Sequence, residues 1–334
     1  MKPAMELLVA ALALAGLAMV GLGTSTARAA EPTLAGHPSA VPSKALQQAL
    51  DRAVERTLAR PWKAPLQPSQ VAATVVDLGA PAAPPRPAAF ASVRGAEPIY
   101  PASVIKLFYQ AAVHRWMEDR KIQDTPEVRR ALRDMIVESY NEPTHYLIDL
   151  LTGTTSGPEL PEAELKTWVD RRAAVTRWFH TQGYPTAVNA SKKPWCEGPY
   201  GRESQAIAAF EPRRNFLTTE ATARLMLEMA SGRCVNAERS RQMLELMARD
   251  FTAPATDPED QAHGYTGIAL KPGTKLWSKC GLTSQTRHDA ALIELPTGRR
   301  IILVIFTTDH ATERDIIPTV ARELLNSIDS PTKP

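Results

Sequence analysis

The chain has 334 residues, with 39 Lys and Arg against 36 Asp and Glu, a formal charge of +3 and 44% hydrophobic residues. Basic residues are scattered rather than gathered into a stripe, which excludes nucleic-acid binding as the main activity. Three cysteines are too few for a disulfide-built scaffold, and seven histidines without H-x-H or H-E-x-x-H spacing do not describe a zinc centre.

The first residues read as an address. Lys2 gives a weak positive start, Leu7 to Leu22 is apolar, and Ala27-Arg28-Ala29 offers a small-residue cleavage site, although Glu6 sits unusually close to the apolar run. Residues 1–29 are therefore expected to be a cleaved signal peptide. No later segment is long and apolar enough to span a bilayer. Residues 30–334 are expected to be one soluble, monomeric catalytic domain, periplasmic or secreted.

Glu31 to Pro42 reads as a flexible lead. Ala45 to Ala59 is helical in period, with Leu46, Leu50, Val54 and Leu58 on one face. Val71 to Leu78 is a strand, Pro81 to Pro87 a proline-dense turn, and Ala88 to Val93 the returning strand. Tyr100-Pro101-Ala102 ends that strand, and a helix opens at Ser103 and runs through Val104, Leu107, Ala111 and Trp116. Apolar stripes then mark helices over Val128 to Val137, Thr144 to Leu151, Glu162 to Gln182 and Thr218 to Ser231, within a mostly helical stretch ending near Met247. Gly183 to Pro212 has no clear period and reads as a long surface loop, a kind often functional. Strands return at Leu276 to Cys280, Ala290 to Leu295 and Ile301 to Thr307, with Pro296-Thr297-Gly298 as a hairpin turn, and Ile316 to Ile328 closes the chain as a helix. The pattern predicts a mixed α/β (α+β) fold. An antiparallel sheet draws on both chain ends, at about 43–99 and 265–330, with a helical subdomain inserted at about 100–264.

Three short motifs carry chemistry. In Ser103-Val104-Ile105-Lys106 the lysine lies one helical turn after the serine and can remove its proton, while the helix N-terminus offers N–H groups to an oxyanion. The same terminus disfavours a charged lysine, which suits Lys106 to act as base. Ser139-Tyr140-Asn141 places a hydroxyl and an amide in one turn between helices. Lys279-Cys280-Gly281 puts a cation on a strand, with a glycine that lets substrate approach the backbone and the N–H of Leu282 just beyond it.

In that order and context the motifs resemble the serine β-lactamase and penicillin-binding protein family, class A β-lactamases most closely. Ala45 to Val93 is similar to the family's first helix and strand pair, Tyr100 to Phe108 to its nucleophile helix, Met135 to Gly153 to its S-x-N hinge, and Leu276 to Thr308 to its last strands. The resemblance implies Ser103 as nucleophile, Lys106 as its activator and Ser139 as proton shuttle. Asn141 would hold a substrate amide, and Lys279 and Gly281 would face the substrate carboxylate and backbone. The N–H groups of Ser103 and Leu282 would form the oxyanion hole. Arg287 is the implied carboxylate-binding arginine, with His288 as near. No cofactor and no metal is implied. The substrate would be a β-lactam or a peptidoglycan stem peptide.

The pattern departs from the family in two places. Cys280 stands where a hydroxyl is usual, and a thiol is a weaker donor. The deacylating carboxylate is open: Glu211-Pro212-Arg213-Arg214-Asn215 has the spacing of the family's E-P-x-x-N loop but lies late in the chain, and Glu203 and Glu197 are rivals. Cys196 with Cys234 is the expected pair if a disulfide forms. Hydrolysis of β-lactam amides is the leading expectation. A D-alanyl-D-alanine peptidase or transpeptidase on the same scaffold is the alternative, and a binding module without turnover is the third.

Overall fold

The computed structural model describes residues 34–37, 40–80, 86–195, 197–255 and 257–329. The expected signal peptide lies outside these residues. No helix among them is long and apolar enough to cross a membrane.

Seven strands form one sheet. They are β1 (Ala40–Pro42), β2 (Val71–Gly79), β3 (Ala88–Val93), β4 (Ala248–Arg249), β5 (Lys275–Leu282), β6 (Thr286–Glu294) and β7 (Arg300–Thr308), in the order β1-β3-β2-β7-β6-β5-β4. All neighbours are antiparallel except β1 with β3. The N-terminal hairpin therefore sits beside the C-terminal strands, as the sequence implies. β1, within the stretch read as a flexible lead, and the two-residue β4 are additions.

Ten helices accompany the sheet: α1 (Lys44–Leu58), α2 (Lys106–Glu118), α3 (Pro126–Arg133), α4 (Asn141–Thr152), α5 (Glu162–Arg172), α6 (Ala174–Thr181), α7 (Arg202–Ala209), α8 (Thr219–Ala230), α9 (Ala237–Met247) and α10 (Ile316–Asp329), counted among the described residues. Side-chain alternation on the central strand explains the layering. Ile301, Leu303 and Ile305 of β7 pack with Leu50, Ala53 and Val54 of α1 and Ile317, Val320 and Leu324 of α10. Ile302, Val304 and Phe306 face the other way, into a core shared with Phe108 and Ala111 of α2 and Leu225 and Met226 of α8.

Three expected elements differ. The helix read over Glu162 to Gln182 is two helices that break at Ala173, a residue with no breaker chemistry. The helix read over Val128 to Val137 is α3 followed by a π-helical turn, Asp134–Glu138. The loop read over Gly183 to Pro212 contains α7, whose buried side is only Glu203 and Ala206, too little apolar surface for a stripe.

Leu50 has no exposed surface and joins α1 to the sheet. Leu50→Ala is expected to lower unfolding free energy by about 3 kcal/mol, read from urea or guanidinium denaturation.

Candidate functional site

The Ser103 segment is held between the sheet and the helices. Ile99 exchanges backbone hydrogen bonds of 2.8 and 3.0 Å with Leu217. His288 on β6 then binds the carbonyl of Tyr100 through Nε2 at 2.9 Å, while its Nδ1 accepts from the Thr307 N–H at 3.1 Å. That pattern assigns the proton to Nε2. Burial pushes His288 down to about 4, so the ring is a neutral brace. Ala102 takes φ +45°, a left-handed conformation that costs a non-glycine residue energy and is kept where surroundings over-determine it. A 3₁₀ turn, Ala102–Ile105, carries half-buried Ser103, and α2 starts at Lys106. Ser103 and Lys106 therefore occupy the junction of two helix types rather than one helix opened at Ser103.

Gly281 supplies the close approach. A Cβ there would sit 2.7 Å from the Pro101 carbonyl oxygen and 3.0 Å from the Ser103 nitrogen, so only glycine lets β5 run against the Ser103 backbone. Leu282 follows, 42% exposed, at the mouth of this contact.

Ser139 is the hub of the polar cluster. It caps the π-helical turn in the left-handed region, at φ 62°. Lys106 Nζ donates to its carbonyl at 2.5 Å, lies 3.3 Å from its Oγ, and donates to Asn141 Oδ1 at 2.8 Å. From the other side Lys279 Nζ reaches Ser139 Oγ at 2.9 Å, and it also donates to Gln261 Oε1 at 2.7 Å and the Cys280 carbonyl at 2.9 Å. Both lysines are fully buried. Burial, with Arg249 nearby, pulls Lys279 down to about 8.

Two residues that sequence reasoning missed hold this cluster together. Gln261 donates to the carbonyls of Ile136 and Val137 at 3.0 and 2.7 Å while accepting from Lys279 and from the Cys280 N–H. Arg249 spans the Ile136 and Ser278 carbonyls at 3.1 and 2.9 Å. Each ties the π-helical turn to β5. Their signal in the sequence is nil, since both contacts join segments more than a hundred residues from that turn.

Other expected residues lie elsewhere. Arg287 does not face the cluster: it is 2% exposed, stacks 4.4 Å from the Tyr265 ring, and binds Glu259 at 2.6 Å and the Gly264 carbonyl at 2.7 Å. Its alternation on β6 places it on the α1–α10 side of the sheet, with Asp289 and opposite His288. The Cys280 side chain also joins the core on that side, with Tyr265 and Leu276, so its thiol is a packing group. Cys234 is buried and free, and Cys196 lies outside the described residues.

The three candidate glutamates separate by environment. Glu203 is 3% exposed in its side chain and bound by Arg172 at 2.5 Å, with Ser156 at 2.9 Å and Lys193 at 3.8 Å. Glu211 has a side chain 73% exposed and paired with Arg213 at 2.8 Å. Glu197 is exposed. Asn215, which ends the E-P-x-x-N run, is buried, and its amide holds the backbone of Ser191 and Lys192.

A family model described as the β-lactamase enzyme family matches residues 116–328, a span that holds the S-x-N and K-x-G motifs and begins after Lys106. A comparison with curated proteins returned no match. Among solved structures, the chain is similar to a β-lactamase from Sphaerobacter thermophilus DSM 20745, at 19% identity and TM-score 0.58, covering 85% of this chain and 98% of that one. It is similar to a β-lactamase from Chitinophaga pinensis DSM 2588, at 15% identity and TM-score 0.56, covering 85% and 99%. PBP-A gives 16% identity and TM-score 0.57 over 87% and 98%, in a mutant held as an acyl-enzyme complex with penicillin G. At these identities the likeness is one of fold.

Glu203 is structural in this geometry, because it neutralises Arg172 and the neighbouring Lys193. Glu203→Gln leaves those buried cations undercompensated and is expected to cost about 3 kcal/mol, read as a lowered denaturation midpoint.

Proposed function

We propose that this chain, which belongs to the β-lactamase enzyme family, opens β-lactam amides by forming an acyl-enzyme at Ser103. The observation that carries the reading is the Lys106–Ser139–Lys279 chain of hydrogen bonds, which starts three residues after Ser103 and ends two residues before Gly281, the glycine that lies against the Ser103 backbone. Lys106 takes the Ser103 proton as Oγ attacks the carbonyl carbon. The N–H groups of Ser103 and Leu282 receive the developing oxyanion. Ser139 passes a proton to the departing nitrogen and is recharged through Lys106. Asn141 holds the substrate's acyl amide, Gly281 keeps the backbone close, and Lys279 in its ammonium form faces the substrate carboxylate. In this reading residues 1–29 are a signal peptide, and the enzyme works in the periplasm or outside the cell against β-lactam antibiotics.

A second reading, a D-alanyl-D-alanine peptidase or penicillin-binding enzyme that keeps its acyl group, is favoured by the carboxylates. Glu203 is spent on Arg172 and Glu211 points to solvent, so water activation is the weaker half of the cycle.

Incubation with a chromogenic cephalosporin, following colour and intact mass together, separates the readings. Steady turnover supports hydrolysis, and one burst with a lasting adduct on Ser103 supports the second reading. No adduct and no colour would falsify the acyl-enzyme mechanism. Glu211→Ala is expected to leave the deacylation rate unchanged, and an accumulating adduct would restore Glu211 as the base.

Protonation of Lys279 gives a pH limb. Its ammonium exists below about 8 and is lost above it, so kcat/KM is expected to fall as pH rises through about 8. Lys279→Arg stays charged and should remove that limb. A limb unmoved in the variant sinks the assignment.

A further inference from the structure

Beyond Gly281, β5 ends in the turn that leads to Thr286. Facing it, the loop before and after α7 borders a cleft of about 550 Å³ whose lining includes Tyr100, Lys192, Trp195, Arg214, Asn215 and Thr286. Lys193 and Arg213 also line it, and among the described lining residues only Asp309 is acidic. Two of the four cations are already neutralised, Lys193 by Asp149 at 2.9 Å and Arg213 by Glu211 at 2.8 Å. Lys192 and Arg214 have no hydrogen-bonded or ion-paired carboxylate among the described residues. Arg214 instead lies 5.7 Å from the centre of the Tyr100 ring, three residues before the nucleophile.

Lys192 is mounted firmly while its ammonium is directly paired with no carboxylate among the described residues, Glu203 and Glu211 acting on it only through longer-range attraction. Its N–H donates to Asn215 Oδ1 at 2.9 Å, and its carbonyl accepts from Asn215 Nδ2 at 2.8 Å and from the Tyr109 hydroxyl at 2.7 Å. Tyr109 stands one turn after Lys106 on α2, so the mount is tied to the nucleophile's own helix. Burial pulls the Lys192 ammonium below the usual lysine range, a cost that a bound anion offsets. Along β5 the order is Lys279, then Gly281 against Ser103, then the turn that walls the cleft. Lys279 and that turn are roughly 13 Å apart at about 3.3 Å per residue. A ligand laid across Ser103 therefore meets cations at both ends.

We propose that this cleft is an anion subsite for the acyl portion of the substrate, so that the chain favours acyl donors bearing a second carboxylate on the acyl side of the scissile amide. The proposal rests on the acyl-enzyme reading at Ser103. Benzylpenicillin and its α-carboxy derivative differ by that one carboxylate. The α-carboxy compound is expected to acylate Ser103 about tenfold faster at low salt, with the ratio falling as salt rises. In a Lys192→Met/Arg214→Met variant, with folding checked by circular dichroism, the ratio should drop toward one. Lys192→Gln alone serves if the double variant does not fold. Equal rates in the native protein, or a ratio unchanged in the variant, overturn the subsite. If neither compound labels Ser103, the acyl-enzyme reading has failed, and the subsite is judged by equilibrium binding of the same pair to Ser103→Ala. Tighter binding of the dianion supports it, and equal binding overturns it. A parallel pair of acyl-D-alanyl-D-alanine peptides, with the acyl-side carboxylate free or amidated, tells whether peptides share the preference.

Discussion

Two lysine side chains without solvent, Lys106 and Lys279, set the terms for everything around them. A buried amine head without hydrogen-bond partners is costly, and more so when it is charged, so each must be surrounded by acceptors. Ser139 meets that need from both sides, with its carbonyl and hydroxyl, and Asn141, Gln261 and the Cys280 carbonyl complete the shell. The left-handed backbone at Ser139 and the π-helical turn before it are conformations that chains avoid without compensation. Here the hydrogen bonds to the two lysines supply it. The polar cluster thus stabilises the backbone that forms it.

The same mutual support extends to Ser103. β5 presses Gly281 against the Ser103 backbone, β6 holds the Tyr100 carbonyl through His288, and the segment between them carries Ala102 in a left-handed conformation. Ser103 is therefore positioned by the sheet as much as by its helix. On the far side the long loop presents cations, and its carboxylates are either buried in ion pairs or turned to solvent. An environment of that sign attracts anionic ligands.

Much of the architecture was legible because its signals are local. Alternation on β5 to β7, the apolar face of α1 and the turn at Pro296 to Gly298 each lie within a dozen residues, and so does the one-turn spacing of Ser103 and Lys106. Gln261, Arg249 and the bracing role of His288 were illegible, because their partners lie far away in sequence and any polar residue would read alike. α7 was hidden for a related reason: Glu203 is buried by an ion pair with Arg172, a tertiary fact that leaves no apolar stripe. Arg287 and Cys280 were misplaced because a motif names neighbours along a strand, whereas strand geometry turns successive side chains to opposite faces. The family match over residues 116–328 covers the hinge and the K-x-G strand, and the serine itself rests on its own spacing and surroundings.

Ser139 meets Lys106 through two atoms of different origin, a main-chain carbonyl at 2.5 Å and a side-chain hydroxyl at 3.3 Å. The shorter contact belongs to the peptide bond and is shared by every amino acid that tolerates a positive φ. Mutation at this position can therefore remove the hydroxyl while leaving the lysine anchored, so inheritance can alter the polar cluster without first rebuilding its scaffold.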